Sequence, residues 1–150
     1  MLKTGDIAPD ISLPDQTGRM RSLGEFKGKK TVLYFYPKDS TSGCTLEARE
    51  FQASAPAFAA KNAVIVGISK DSVKSHAAFA AKNGLEFTLL SDPDKRAIEA
   101  YGVLKEKKMY GKTVVGTART TLVIDESGVI KAVFEDVKPA GHAEEVLKAL

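Results

Sequence analysis

The fold is decided by residues 31–36, Thr-Val-Leu-Tyr-Phe-Tyr, and by the proline that follows them at position 37. The six residues are β-branched, aromatic or aliphatic, and no charged residue interrupts them. A run of this kind is typical of a strand that is buried on both faces, as in a parallel sheet. Proline has no backbone N–H to donate, so we expect Pro37 to end the strand.

The segment after this strand changes from a polar loop to a helical pattern. Residues 38–43 are small or polar, and from Cys44 to about Ala60 apolar side chains recur at positions 48, 51, 55 and 58. This spacing predicts a helix with one apolar face toward the core. Because Pro56 lies inside the pattern, we expect the helix to kink or divide near residues 54–55.

The rest of the chain extends this βα unit in both directions. We predict an N-terminal hairpin (10–13 and 19–23), strands at 63–69, 87–90, 119–124 and 129–134, helices at 71–82, 92–101 and 142–150, and a long loop or excursion at 103–117. Asp71 or Ser72 can cap the first of these helices, and Asp92 or Asp94 can open the second. The order is typical of an α/β chain with a thioredoxin-like fold. We expect a central mixed sheet flanked by helices, an N-terminal β-hairpin and a single domain over residues 1–150.

Composition excludes several classes of protein. Hydrophobic residues make up 43% and charged residues 27% of the chain, and the net charge is only +3, so a nucleic-acid partner is not expected. No segment is apolar enough for a membrane span, and the N-terminus does not resemble a signal peptide, so we expect a cytoplasmic protein. A single cysteine, Cys44, cannot form an intrachain disulfide.

Cys44 falls where the predicted helix begins, at the carboxyl end of the buried strand. Unpaired N–H groups and the positive end of the helix dipole favour a thiolate there, and the thiolate is the nucleophilic form of cysteine. The Thr41 hydroxyl can donate to a bound substrate and accept from a backbone amide, and the amide of Gly43 can add a fixed donor. We expect Ser42 to cap the helix and Pro37 to stiffen the loop and shield the thiol.

A cation for this site has to come from elsewhere in the chain. Arg119 begins a predicted strand that we expect beside residues 31–36. Its guanidinium stays charged and presents a planar set of donors. Near Cys44 it would stabilise both the thiolate and an oxyanion.

Pro37, Thr41 and Cys44 match the P-x-x-x-T/S-x-x-C signature of the peroxiredoxins. Residues 34–39, 43–47 and 116–120 resemble the peroxiredoxin Q subfamily, also called bacterioferritin comigratory protein, within the AhpC/TSA-like peroxiredoxins. The resemblance implies a cofactor-free, thiol-dependent peroxidase that reduces hydrogen peroxide and organic hydroperoxides in antioxidant defence and cell redox homeostasis. It implies a sulfenic acid on Cys44, substrate activation by Thr41 and Arg119, and Pro37 in the same site.

The chain departs from this subfamily in its cysteines. Many members carry a resolving cysteine where this chain has Arg49, and others carry one where it has Ala80. The sulfenic acid must therefore be reduced by an external thiol, and we expect thioredoxin, glutaredoxin or glutathione as partner. The sequence leaves open whether the missing cysteine is natural and which peroxide is preferred. It also leaves open whether the protein is a monomer or a weak homodimer.

Simpler interpretations remain for each of these residues. Cys44 can be an inert small hydrophobe, Thr41 a turn residue, and Arg119 an edge or salt-bridge residue. Glu47 can orient Arg119 or Thr41 near the substrate, or can be an ordinary acid in the first helical turn. We expect His76 and His142 at the surface, and no metal site because one cysteine and two scattered histidines do not form a ligand set. The alternative function is a monothiol redox sensor or exchange protein without peroxidase turnover.

Overall fold

The structure is a computed structural model that describes residues 2–150, with the side chains of Lys107 and Met109 outside the description. The strands are β1 (Ser12–Pro14), β2 (Met20–Ser22), β3 (Lys30–Phe35), β4 (Ala63–Ser69), β5 (Thr88–Ser91), β6 (Leu104–Met109), β7 (Lys112–Thr117), β8 (Thr120–Ile124) and β9 (Ile130–Phe134). The helices are α1 (Ser42–Ala53), α2 (Ala55–Ala60), α3 (Val73–Asn83), α4 (Arg96–Ala100) and α5 (His142–Lys148), and a 3₁₀ turn spans Leu23–Phe26.

A five-stranded mixed sheet in the order β5-β4-β3-β8-β9 forms the centre of the molecule. β3, β4 and β5 are parallel, β8 runs antiparallel to β3, and β9 runs antiparallel to β8. β3 is buried from Thr31 to Phe35, as its unbroken apolar run predicts. The predicted mixed sheet is confirmed, and β3 is its central strand.

Two apolar layers cover the sheet, one on each face. Alternate residues of β3 point to opposite sides, so that Tyr34 packs with α1, α2, α3 and α5. Phe35 faces the other side and packs with α4 and with residues near β1 and β2. Helices thus flank both faces of the sheet, as the element order predicts.

The helix after the site loop divides where the proline predicts. α1 ends at Ala53 and α2 begins at Ala55, with Pro56 in the first turn of α2. Proline is well tolerated in a first turn because the N–H that it lacks has no helical partner there. The predicted division at residues 54–55 is confirmed.

Predicted polar residues bind the first amides of two later helices. The Ser72 hydroxyl accepts from the Ser75 amide at 3.1 Å at the start of α3. The Asp92 carboxylate accepts from the amides of Arg96 and Ile98 at 2.8 and 2.9 Å at the start of α4. Ser72 and Asp92, rather than Asp71 and Asp94, bind the free helical amides.

Of the two alternatives for 103–117, the loop is wrong, because residues 104–117 form the β6–β7 hairpin, which is an excursion from the central sheet. Its turn is Tyr110-Gly111, with φ of 51° and 77°. The two strands pair only with each other among the described residues and stand outside the central sheet. Because they bury few side chains, their sequence lacks the apolar alternation by which a strand is normally predicted.

Across residues 2–150, the structure contains no helix with the length and apolar character that a membrane crossing requires.

Candidate active site

Strand pairing brings Cys44 and Arg119 together. Cys44 lies in the first turn of α1, which follows the carboxyl end of β3. β8 pairs antiparallel to β3 with Phe35 opposite Thr120, so the residue before β8 lies at that same end of the sheet. The expected proximity of Arg119 to Cys44 is confirmed by its Nη2, which donates to Cys44 Sγ at 3.3 Å.

Arg119 also binds Glu47, one turn after Cys44 on α1. Its Nη1 donates to Glu47 Oε1 at 2.7 Å, and Glu47 is only 1% exposed. The guanidinium is thus shared between a carboxylate and a sulfur atom, both inside the protein. Burial lowers the pKa of Arg119, but Glu47 and Cys44 outweigh that effect and leave it raised.

Glu47 occupies an unusual environment for a carboxyl group. Its pKa is raised from 4.5 to about 7, because the effect of burial exceeds the lowering by Arg119, and the nearby Glu50 adds a smaller upward effect. Its Oε2 is buried without a hydrogen-bond partner among the described residues. Glu47 therefore contacts Arg119 and is not exposed on the open side of the site. This is the contact expected of a residue that orients the guanidinium.

The start of α1 differs from the prediction in its cap. Thr41, not Ser42, is the N-cap residue, and its side chain makes no capping bond. Instead, Thr41 Oγ1 donates to the Lys38 carbonyl oxygen at 2.9 Å and does not accept the expected backbone amide within the described chain. The prediction for Ser42 is wrong because α1 begins at Ser42, two residues before Cys44, where the helical pattern begins.

The amides of the first turn remain available at the site. The first helical bond runs from Thr45 N to the Thr41 carbonyl oxygen at 2.9 Å. The amides of Gly43 and Cys44 therefore have no partner within the helix. Pro37 is half-buried at the start of the loop, and Cys44 is only 2% exposed.

A segment that the sequence analysis did not associate with the site forms one of its walls. The Val137 amide donates to the Arg119 carbonyl oxygen at 3.0 Å, and the Gly141 amide donates to Glu50 Oε1 at 3.0 Å. Between them, Pro139 lies close enough to Gly43 that a β-carbon on the glycine would be 3.3 Å from its ring. No motif marks this segment, because its position results from tertiary packing alone.

The prediction of a surface His76 is wrong. The side chain is fully buried beneath the site loop, where Nδ1 lies 2.7 Å from Asp39 Oδ2 and Nε2 donates to the Leu90 carbonyl oxygen at 3.0 Å. Asp39 also accepts from the hydroxyls of Tyr36 and Ser75. His76 can be buried on α3 because Asp39, in the loop before Cys44, gives its ring a hydrogen-bond partner.

Asp39 fixes the loop before Cys44 to α3. Burial raises its pKa, but the bonds from His76 and Tyr36 outweigh burial, and the pKa is lowered overall. The Asp39 amide also donates to Asp71 Oδ2 at 2.9 Å. A polar residue two positions after Pro37 is the only signal that the sequence offers for this anchor.

Asp39, Asp71 and His76 bring possible ligand atoms within 4.8 Å of one another. We expected no metal-ligand set because only cysteine and histidine were counted. This group was missed because two of its three members are aspartates. Each member already binds protein atoms, since Asp71 Oδ2 also accepts from the Ser69 hydroxyl at 2.6 Å. The group therefore acts in the structure as a hydrogen-bonded anchor for the loop.

The prediction of a surface His142 is wrong as well. The side chain is 2% exposed, and its Nε2 lies 2.7 Å from Thr121 Oγ1 on β8. Phe51 and Phe134 pack edge-on against the ring. Burial lowers its pKa, and Glu145 only partly opposes this effect. Arg49, by contrast, is exposed.

Comparison with known proteins gives consistent results over nearly the whole chain. Residues 4–133 match the AhpC/TSA family. A Coxiella burnetii protein is 49% identical over 149 residues, covering 99% of both chains. The peroxiredoxin Bcp of Escherichia coli is 42% identical over 149 residues, covering 99% of this chain and 96% of that protein.

A solved structure agrees with these sequence matches. It is the bacterioferritin comigratory protein of Xanthomonas campestris, studied for its alkyl peroxide reduction activity. It superposes with a TM-score of 0.90 at 45% identity, covering 93% of this chain and 88% of that one. The central sheet, the position of the helices and the sequence similarity together show that this chain belongs to the AhpC/TSA family of peroxiredoxins.

Proposed function

We propose that this thiol-dependent peroxidase uses Cys44 as its peroxidatic residue in a one-cysteine cycle. The observation that carries the proposal is the 3.3 Å hydrogen bond from Arg119 Nη2 to the sulfur of the chain's single cysteine. A guanidinium at this distance stabilises the thiolate that attacks, and then the oxygen that leaves.

In the first half of the cycle, the Cys44 thiolate attacks one peroxide oxygen. An S–O bond forms, the O–O bond breaks, and the leaving oxygen takes a proton to depart as water or alcohol, which leaves a sulfenic acid. The Thr41 hydroxyl already donates its hydrogen to the Lys38 carbonyl oxygen, so its own oxygen is placed to accept a hydrogen bond from the peroxide O–H. The Gly43 amide and Arg119 bind the peroxide oxygens as charge develops on them.

Two other residues support these groups. Glu47 holds one side of the Arg119 guanidinium, which leaves the other side directed at the sulfur. Pro37 limits the motion of the loop and shields the thiol from solvent. We assign Glu47 a positioning role, because its contact is with Arg119.

In the second half of the cycle, an external thiol attacks the sulfenic acid. A mixed disulfide forms and water leaves, and a second thiol then releases Cys44 and carries away the disulfide. An internal route would need a second cysteine, and Cys44 is the single cysteine of this chain. Arg49 and Ala80 stand where the resemblance to peroxiredoxin Q would place one. Thioredoxin, glutaredoxin and glutathione are the candidate reductants.

The domain, the oligomeric state, the location and the substrates complete the proposal. We place residues 1–150 in one catalytic domain, acting as a monomer or weak homodimer in the cytoplasm, where a lone thiol is kept reduced. We propose both hydrogen peroxide and organic hydroperoxides as substrates. The alkyl peroxide activity of the Xanthomonas campestris relative supports the second class.

Intact-mass spectrometry after one equivalent of hydroperoxide tests the cycle. The account predicts one added oxygen on Cys44 that a dimedone probe captures, and its loss when a dithiol is added. Cys44→Ser is the control and should take up no oxygen. An unmodified wild-type protein would contradict the peroxidase assignment, and a second oxidised residue would contradict the one-cysteine cycle.

A further inference from the structure

The β6–β7 hairpin stands beside the site but outside the central sheet. Its base is joined to the core where the Ala118 amide donates to the Val103 carbonyl oxygen at 2.7 Å. β7 ends at Thr117, two residues before Arg119. Six residue pairs at roughly 3.3 Å per residue make the hairpin about 20 Å long. A protein that bound at the base of the hairpin would therefore lie next to Arg119, which contacts Cys44.

The net positive charge of the hairpin equals that of the whole chain. Residues 104–117 contain four lysines and one glutamate, a net charge of +3, and the net charge of the full sequence is also +3. Of the three hairpin lysines whose side chains are described, Lys105 alone has an ion-pair partner among the described residues, the exposed Asp136 at 2.7 Å. Lys108 and Lys112 are exposed. A second copy of the hairpin would be repelled, whereas an acidic surface would be attracted.

Exposed apolar side chains accompany this charge. Four of the seven large hydrophobic residues that are exposed in the described chain lie in the hairpin, and these are Leu104, Tyr110, Val114 and Val115. Apolar side chains with charge around them are typical of a protein-binding surface rather than of a solvated loop.

Tyr110 at the tip is the least expected of these residues. It is 98% exposed and has a φ of 51°, in the left-handed region that asparagine and glycine adopt most easily. Asparagine before Gly111 would suit this two-residue turn better, so the turn itself does not explain the tyrosine. Exposed tyrosines are common among the residues that contribute most to protein binding.

We infer that the hairpin is the docking surface for the reductant, and that the reductant is a small thiol protein with an acidic surface. The inference rests on the proposed one-cysteine cycle, in which an external thiol must reach Cys44. The lysines would guide the acidic partner to the site, and Tyr110 would make apolar contact once it is bound. A small thiol such as glutathione would have no use for this surface.

Stopped-flow reduction of the oxidised protein tests the inference. Cys44 is first converted to the sulfenic acid with one equivalent of hydrogen peroxide and is then reduced either by a purified acidic thioredoxin or by dithiothreitol. The readout is the ratio of the two second-order rate constants. The variants are Lys108→Glu/Lys112→Glu and Tyr110→Asn, and the second should leave the turn intact or strengthen it.

We expect the double variant to lower this ratio by about tenfold at low salt and by less at high salt, because exposed charges are screened. Tyr110→Asn should lower the ratio by a factor that salt does not change. The matched control is Lys29→Glu/Lys131→Glu, which makes the same change in charge at the opposite end of the sheet and should leave the ratio within about twofold.

Hairpin variants that behave like the control pair would overturn the inference. A second result would also overturn it. If sedimentation detects dimers of the wild type but not of Tyr110→Asn, and the ratio of rate constants is the same in both, the hairpin binds a second copy of this chain and not the reductant. Failure of the proposed function would be visible earlier, because the wild-type sulfenic acid would not form when peroxide is added.

Discussion

Arg119 is the residue on which the chemistry of this site depends, because it contacts both Cys44 and Glu47 from a single side chain. Its planar group provides two donors at a fixed separation, which a lysine ammonium does not. The cation lies 75 positions after the thiol in the chain. The sequence indicated this pairing because β8 was expected beside β3 and because the resemblance singled out the arginine.

Replacing Arg119 tests its role. Arg119→Met should lower the second-order rate constant of Cys44 with hydrogen peroxide by about 100-fold, since it removes the donor aimed at the developing charge. Arg119→Lys should recover part of the loss, because it keeps the charge without the planar donors. Arg96→Met, on the exposed start of α4, is the control. Equal rates in all three variants would contradict the assignment.

Thr41 contributes through its hydroxyl group. Thr41→Val keeps the shape of the side chain but cannot accept a bond from the peroxide O–H, and the peroxide rate should fall by about 10- to 100-fold. Thr41→Ser keeps the hydroxyl and should stay within a few-fold of the wild type. Because Thr41 is exposed, neither change should shift the melting temperature by much. A valine variant as fast as the serine variant would assign Thr41 to the turn alone.

Glu47 should make stability depend on pH. Its pKa is raised by burial from 4.5 to about 7, so the folded state holds the proton more tightly than the unfolded state. The associated stability is complete below pH 4.5 and is lost as the pH rises through about 7.

Urea denaturation at pH 5 and pH 8 measures this effect. As the pH rises from 5 to 8, the free energy of unfolding of Glu47→Gln should increase relative to that of the wild type, by on the order of 3 kcal/mol. Glu99→Gln on the exposed face of α4 should show no such gain. The same pH dependence in wild type and Glu47→Gln would contradict a raised pKa.

At the scale of the elements, the sheet had a clear sequence signal and the β6–β7 hairpin did not. β3 and β4 are buried runs of apolar residues, and α1 and α2 divide at a proline, so each had a local signal. β6 and β7 are exposed, and neither face of them had to be apolar. His76 and His142 were misplaced for a related reason, since each is buried by a partner from a distant part of the chain.

Gly67 on β4 tests how closely the central strands pack. A β-carbon there would lie 2.9 Å from Leu89 Cδ2 and from two ring atoms of Tyr34. Gly67→Ala should therefore lower the free energy of unfolding by about 1 to 3 kcal/mol, as overpacking of a core does. Gly116→Ala on β7 has nothing within 4 Å of the added carbon and should be close to neutral. Equal stability of the two variants would contradict the packing.

At the scale of the whole molecule, the fold places the nucleophile and the cation at one end of the central sheet. The remaining contacts hold them in place: Asp39 fixes the loop to α3, and residues 137–141 cover Arg119 and Gly43. Neither could be predicted, because each depends on how distant segments meet. The positive hairpin lies beside the same end of the sheet, where the proposed cycle needs a second protein.

The most direct test of the central claim is the stopped-flow reaction of the reduced protein with hydrogen peroxide and with cumene hydroperoxide, beside Cys44→Ser. The account predicts a reaction far faster than that of a free thiol, which disappears in the serine variant, and the faster peroxide identifies the preferred substrate class. A wild-type rate no greater than that of a free thiol would contradict the claim and leave thiol exchange or redox sensing as the role of Cys44.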